Sequence, residues 1–131
     1  MIIDKLINSK PTYLYKLDGE VCKDEYTTLE GFSDCIKWHL SLNNFNVIGV
    51  FYNDQPEDYH GSGVVLGYDK TSSECFVIEL SHCSCYGILD VDAWEDIQPE
   101  RYSVELLNKA YSENRLTSDL TELIEHCIAQ M

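Results

Sequence analysis

Three short apolar runs in the middle of the chain constrain its fold more than any other feature of the sequence. Residues 47–52, 62–68 and 75–80 are rich in valine, isoleucine, leucine and aromatic side chains. Their short length and β-branched content are typical of buried strands. The turn-forming residues 69–73 separate the last two runs. We therefore predict that 62–68 and 75–80 pair as an antiparallel hairpin, with 47–52 as a central strand.

Helical patterns flank this β-region. Thr27 and Glu30 have the spacing of a capping box, which predicts a helix start. A mostly apolar face of the helix then follows, with His39 on it beside Leu29, Phe32, Ile36 and Leu40. Two more helices are predicted near the end of the chain, over residues 103–111 and over 118–131, where Ser118 is a candidate N-cap.

These elements fit one small domain. Residues 13–17 and 20–22 predict either a minor hairpin around the Asp18-Gly19 turn or two separate extended pieces. No linker or repeat divides residues 1–131. We therefore predict a single acidic α+β domain in which a small antiparallel sheet of about three to five strands packs with one face against helices, two of them C-terminal. The apolar stripe of 118–131 would serve this core or a homo-oligomer seam.

The charge of the chain excludes several classes of partner. The sequence holds 23 Asp and Glu against 9 Lys and Arg, for a net charge of −14. This balance disfavours nucleic acids and anionic membranes, which are bound largely through Lys and Arg. The first ten residues lack the apolar core of a secretory signal, and no apolar run is long enough to span a bilayer. We expect a cytoplasmic protein with mostly reduced thiols.

The densest chemistry is the HCSCYG sequence at residues 82–87. One interpretation is packing, because small side chains let a strand end approach its neighbours. A second is a zinc site, in which Cys83 and Cys85 bind the metal with His60 or Cys75. A third is a cysteine-dependent hydrolase, although the acidic residues nearby raise a thiol pKa. The C-x-C spacing is tighter than that of standard structural zinc sites.

This stretch also resembles a known group of proteins. HCSCYG after an apolar β-run, followed by the acidic, tryptophan-containing residues 87–95, is similar to small phage and prophage proteins with an HCSCYG-type motif. The resemblance covers residues 75–95 best. It implies an accessory protein of a mobile element that interferes with host machinery or with host defence.

The acidic residues are concentrated in one part of the chain. Residues 54–108 contain 12 acids and 2 bases. We expect a non-enzymatic protein whose acidic, aromatic-bearing face binds and inhibits or modulates a basic host or anti-phage defence protein, with nucleic-acid mimicry as one form of this. A merely solubilising surface would have the same composition. The predicted contact residues are Asp54, Glu57, Asp58, Tyr59, Tyr86, Asp90, Asp92, Trp94, Glu95 and Asp96.

Overall fold

The computed structural model describes residues 2–21, 29–55, 60–82, 94 and 97–131. The helices are α1 (Ile2–Ile7), α2 (Leu29–Leu40), α3 (Val104–Ser112) and α4 (Ser118–Ala129). The strands are β1 (Thr12–Leu17), β2 (Glu20–Val21), β3 (Phe45–Gln55), β4 (His60–Asp69), β5 (Glu74–His82) and β6 (Glu100–Ser103). The α+β class and the two C-terminal helices are confirmed.

The strands form one mixed sheet in the order β2-β1-β3-β4-β5-β6. The predicted β4–β5 hairpin is antiparallel, as are the β3–β4, β5–β6 and β1–β2 pairs. The prediction of a wholly antiparallel sheet is wrong in one place, because β1 lies parallel to β3. A parallel pair needs a long crossover connection, and the segment that contains α2 provides it.

Helices cover both faces of the sheet, whereas the sequence predicted helices on one face. Ile48, Phe51, Val64, Leu66 and Val77 point into one apolar cluster, which α1, α3 and α4 complete. The alternate residues of the same strands form a second cluster with α2 and Trp94. The central strands are apolar almost without interruption because both of their faces are buried.

Gly49 sets the distance between the sheet and the last helix. The register of β3 against β4 shifts between Val47 and Gly49, which leaves a bulge at Ile48. A β-carbon at position 49 would lie 2.9 Å from the Cys127 sulfur and 3.0 Å from a Leu123 methyl group. Glycine at this bulge therefore lets α4 pack directly on the strand.

Both C-terminal helices begin with hydroxyl caps. The Ser103 hydroxyl accepts a hydrogen bond from the Leu106 N–H at 3.1 Å, and Thr117 accepts one from the Leu120 N–H at 3.3 Å. Thr117 rather than the predicted Ser118 is thus the N-cap of α4. Either hydroxyl could serve, and the position at which the extended backbone ends decided between them.

Candidate functional site

The end of β3, the start of β4 and the end of β5 meet at one end of the sheet. β3 ends at Gln55, and β4 begins opposite it at His60. β5 ends at His82, which lies opposite Gly61. Asp54 and Trp94 are the predicted contact residues that the structure describes. The others lie outside the described residues: Glu57, Asp58, Tyr59, Tyr86, Asp90, Asp92, Glu95 and Asp96.

Asp54 is half-buried and takes part in the fold. Its Oδ2 accepts a hydrogen bond from the Tyr15 hydroxyl at 3.0 Å, and its main-chain carbonyl accepts one from the Asp18 N–H at 2.8 Å. The neighbouring Asn53 side chain accepts from the Gly19 N–H at 3.0 Å. These bonds tie the β1–β2 turn to the end of β3. A partner would therefore meet Asp54 as a fixed, partly engaged carboxylate.

The predicted contact role of Trp94 is wrong, because this side chain belongs to the core. It is 1% exposed. Its ring stacks on His39 of α2, with 6.5 Å between the ring centroids and 22° between the ring planes. The centroid of the Phe32 ring is also 6.5 Å away. The indole lies in the same apolar cluster as Phe32 of α2 and the central strands, and it adds a large apolar surface to that cluster.

The exposed tryptophan is Trp38, which the sequence did not single out. It lies on α2 and is 78% exposed. Glu30 and Asp34 precede it at four-residue intervals, so the three side chains form one row along the helix. Both acids are exposed and make no ion pair among the described residues. We call this row the α2 acidic-aromatic face.

Helical geometry could have located Trp38. The residues predicted to face the core include Phe32 and Ile36, and both are fully buried. Trp38 follows Ile36 by two residues, which is a rotation of about 200° around the helix axis. The same pattern that predicts the buried side therefore places the indole on the opposite side, in water.

Cys75 cannot be a ligand in a metal site at the HCSCYG sequence. It pairs with Tyr68 near the start of β5, whereas His82, which precedes Cys83, ends that strand. The extended chain between positions 75 and 82 is about 23 Å long. Cys75 is also fully buried in the core, where burial and, second, the negative charge of Asp4 raise the thiol pKa to about 11.

The rest of the predicted zinc set keeps its status as a prediction. Cys83, Cys85 and the side chain of His60 lie outside the described residues. Within the described part of the chain, no three His, Cys, Asp or Glu side chains are grouped so that they could hold a metal ion. The structure therefore removes Cys75 from the set and leaves the cysteine pair open to elemental analysis.

The other described cysteines are also unsuited to nucleophilic chemistry. The pKa of Cys35 is raised to about 11 by burial and, second, by the nearby Asp34 carboxylate, and burial raises that of Cys127 to about 11. The Cys127 thiol points at the Ile48 carbonyl at 3.9 Å. A buried thiol that stays protonated at neutral pH is a poor nucleophile. Cys35, Cys75 and Cys127 are packing residues.

A groove between α1 and α3 is also explained by the fold. Its volume is about 520 Å³, and Ile2, Asn108 and Tyr111 are among its lining residues. Asn108 is a buried polar side chain, but it is fully used. Its Oδ1 accepts from the Ile3 N–H at 2.9 Å, and its Nδ2 donates to the Val104 carbonyl at 2.9 Å. The groove thus offers a ligand no unpaired buried amide.

Comparison with known proteins leaves the function to be argued from the surface. No protein-family model matches the chain, and neither the curated proteins nor the solved structures include a similar one. Among the described residues, no helix is both long and apolar enough to cross a bilayer. The α2 acidic-aromatic face is the described feature that combines an exposed large aromatic ring with unpaired charge.

Proposed function

We propose that this protein is a non-enzymatic binding protein that engages a basic partner through the α2 acidic-aromatic face. The observation that carries the proposal is the 78% exposure of Trp38 beside two carboxylates that form no ion pair among the described residues. In line with the phage resemblance, the proposed partner is a host or anti-phage defence protein in the cytoplasm. Binding would inhibit or modulate that protein.

An exposed indole is a strong binding element. Tryptophan is enriched among the few residues that provide most of the binding free energy at protein interfaces. Covering about 100 Å² of its ring would contribute about 2.5 kcal/mol. The ring has two rotatable side-chain bonds, so its ordering on binding loses little conformational entropy. These properties support a role for Trp38 as the anchor of the interface.

The carboxylates supply attraction at longer range. The chain carries a net charge of −14, which speeds encounter with a basic partner at low ionic strength. Acidity alone would also be explained by solubility. The proposal differs from that explanation because it locates binding on one helix. Reversing charge on α2 should then matter more than the same reversal elsewhere.

One of the predicted contact residues, Trp94, packs beside this helix. Its indole contacts His39, which follows Trp38 in the chain. The acidic residues near Trp94 in the sequence lie outside the described part of the chain, and their predicted contribution to binding stays a prediction. A variant with lysine at Asp90, Asp92, Glu95 and Asp96 tests that contribution separately from α2.

The test is affinity purification from a bacterial lysate over a salt series, followed by binding measurements on the purified partner. Trp38→Ala should weaken binding at least tenfold, whereas Leu106→Ala, at an exposed leucine on α3, should not. The double variant Glu30→Lys/Asp34→Lys should slow association. Its control is Glu105→Lys/Glu125→Lys, which reverses the same number of exposed carboxylates on other helices. Glu105 lies in the first turn of its helix, as Glu30 does. Equal losses in both double variants would contradict the proposed face.

A further inference from the structure

We infer that the group which binds on Trp38 is an arginine side chain of the partner, held between the indole face and the Asp34 carboxylate. This inference rests on the proposed function and specifies the chemistry of the partner. It uses the spacing within the α2 acidic-aromatic face, the exposure of its members and the absence of ion pairs between its acids and the described bases of the chain.

The helix places an aromatic ring and a carboxylate one turn apart. Residues at i and i+4 have β-carbons about 5–6 Å apart. Helical side chains lean toward the N-terminus, so the Trp38 ring leans toward Asp34 rather than away from it. A cation that covers the ring is therefore within reach of the Asp34 oxygens. Glu30 adds a second carboxylate one turn further along the same row.

No described cation of the chain occupies this position. Lys37 is exposed on α2 and lies about 100° around the helix from Trp38. Neither Lys37 nor any other described base forms an ion pair with Asp34 or Glu30. The described part of the molecule thus leaves both acids available to a cation from outside.

The chain builds the same arrangement internally at another place. Lys16 Nζ lies 5.5 Å from the centre of the Phe51 ring and 2.6 Å from Glu122 Oε2. A cation, an aromatic ring and a carboxylate thus meet between β1, β3 and α4. On α2 the ring and the carboxylate are present, and the proposed partner would supply the cation that completes the same arrangement.

Arginine fits this site better than lysine does. The guanidinium group is planar, so it can stack on the indole and direct its edge N–H groups at a carboxylate at the same time. It is also more weakly hydrated than an ammonium group, so removing its water on binding costs less free energy. Cation–π contacts in proteins involve arginine more often than lysine, and tryptophan is the best ring for them.

The test uses two fluorescein-labelled peptides of equal length and charge, one with arginines and one with lysines, at low and at physiological ionic strength. We expect the arginine peptide to bind the wild-type chain about fivefold more tightly. Trp38→Ala should remove this preference, and Trp38→Phe should retain part of it. The matched control, Leu106→Ala, should keep it fully. In ¹⁵N spectra the indole signal of Trp38 should shift and that of Trp94 should not.

The outcomes separate this inference from the proposed function. Equal affinities for both peptides, with binding still lost in Glu30→Lys/Asp34→Lys, would overturn the arginine assignment and leave the binding face intact. An arginine preference that persists in Trp38→Ala would also overturn the assignment. If neither peptide binds, or if Glu105→Lys/Glu125→Lys weakens binding as much as the α2 pair does, the proposed face is wrong as well.

Discussion

The two tryptophans of the chain are both associated with α2 and have opposite roles: Trp38 is part of the helix, and Trp94 packs against it. Trp94 is 1% exposed and stacks on His39, whereas Trp38, the residue before His39, is 78% exposed. The acidic sequence around Trp94 predicted a surface residue, whereas Trp38 was not among the predicted contact residues. What decides burial is the position of the side chain relative to the sheet, and local composition does not report that position.

The largest expected effect is on stability at Trp94. Trp94→Ala should lower the free energy of unfolding by about 3–5 kcal/mol, because it empties a large volume between α2 and the sheet. Urea unfolding followed by circular dichroism measures this. A loss below about 1 kcal/mol would contradict the buried position of Trp94 and with it the comparison.

The second effect concerns a buried charge, Asp69, at the β4–β5 turn. Burial by itself raises its pKa, but hydrogen bonds from the Thr71 N–H, Arg101 and Ser72 hold the pKa below its ordinary value. Asp69→Asn should cost about 1–3 kcal/mol at neutral pH. This tests whether a buried carboxylate anchors the fold nearly as strongly as the buried indole.

The pH dependence of that effect has a defined sign. Because the folded pKa of Asp69 is depressed, its stabilisation is present above the unfolded value of about 3.9 and disappears as the pH falls through the folded value. The difference between wild type and Asp69→Asn should therefore shrink in acid. The control is Glu74→Gln, whose more exposed carboxylate lies 3.8 Å from Arg101 and should contribute little.

A smaller effect is expected at His39, which directly follows Trp38 in the chain and stacks on Trp94. His39→Ala should destabilise the protein by about 0.5–1.5 kcal/mol through the lost ring contact. In a double-mutant cycle with Trp94→Ala the two losses should not add, whereas with Trp38→Ala they should. Additive losses with Trp94 would show that the stacking contributes nothing.

The smallest effect on stability is expected at Trp38 itself. Trp38→Ala should change the free energy of unfolding by no more than about 0.5 kcal/mol, since the ring makes few contacts to lose. Acrylamide quenching gives an independent readout. Trp38→Phe should remove most of the quenchable fluorescence and leave the shielded emission of Trp94. Strong quenching that remains in Trp38→Phe would place Trp94 in water.

Much of the fold could be predicted from local patterns. Apolar runs bounded by turn residues were sufficient for the β4–β5 hairpin, and the helical periodicity of Phe32 and Ile36 identified the buried side of α2. The parallel pairing of β1 with β3 could not be predicted, because it joins segments that are far apart in the chain and carries no local signal. The same holds for the helices on both faces of the sheet.

The predicted acidic, aromatic-bearing face stays a prediction, because eight of its ten residues lie outside the described part of the chain. The exposed tryptophan lies on α2, at Trp38, where no contact residue was predicted. Cys75 was predicted as a zinc ligand from its residue type alone. In the structure, about 23 Å of extended chain separates Cys75 from His82 at the end of β5. The Cys83 and Cys85 zinc pair and the residue 82–87 turn stay predictions, which elemental analysis of purified protein will test.

The sequence by itself determined the α+β class, the excess of acid and the strands and helices with strong periodicity, because these follow from residue type and spacing along the chain. Only the tertiary structure decided which tryptophan is buried and how β1 joins the sheet. Those properties depend on contacts between distant segments. Trp94 is covered by α2 and the sheet, while Trp38, two residues after the buried Ile36, is turned by the helix into solvent.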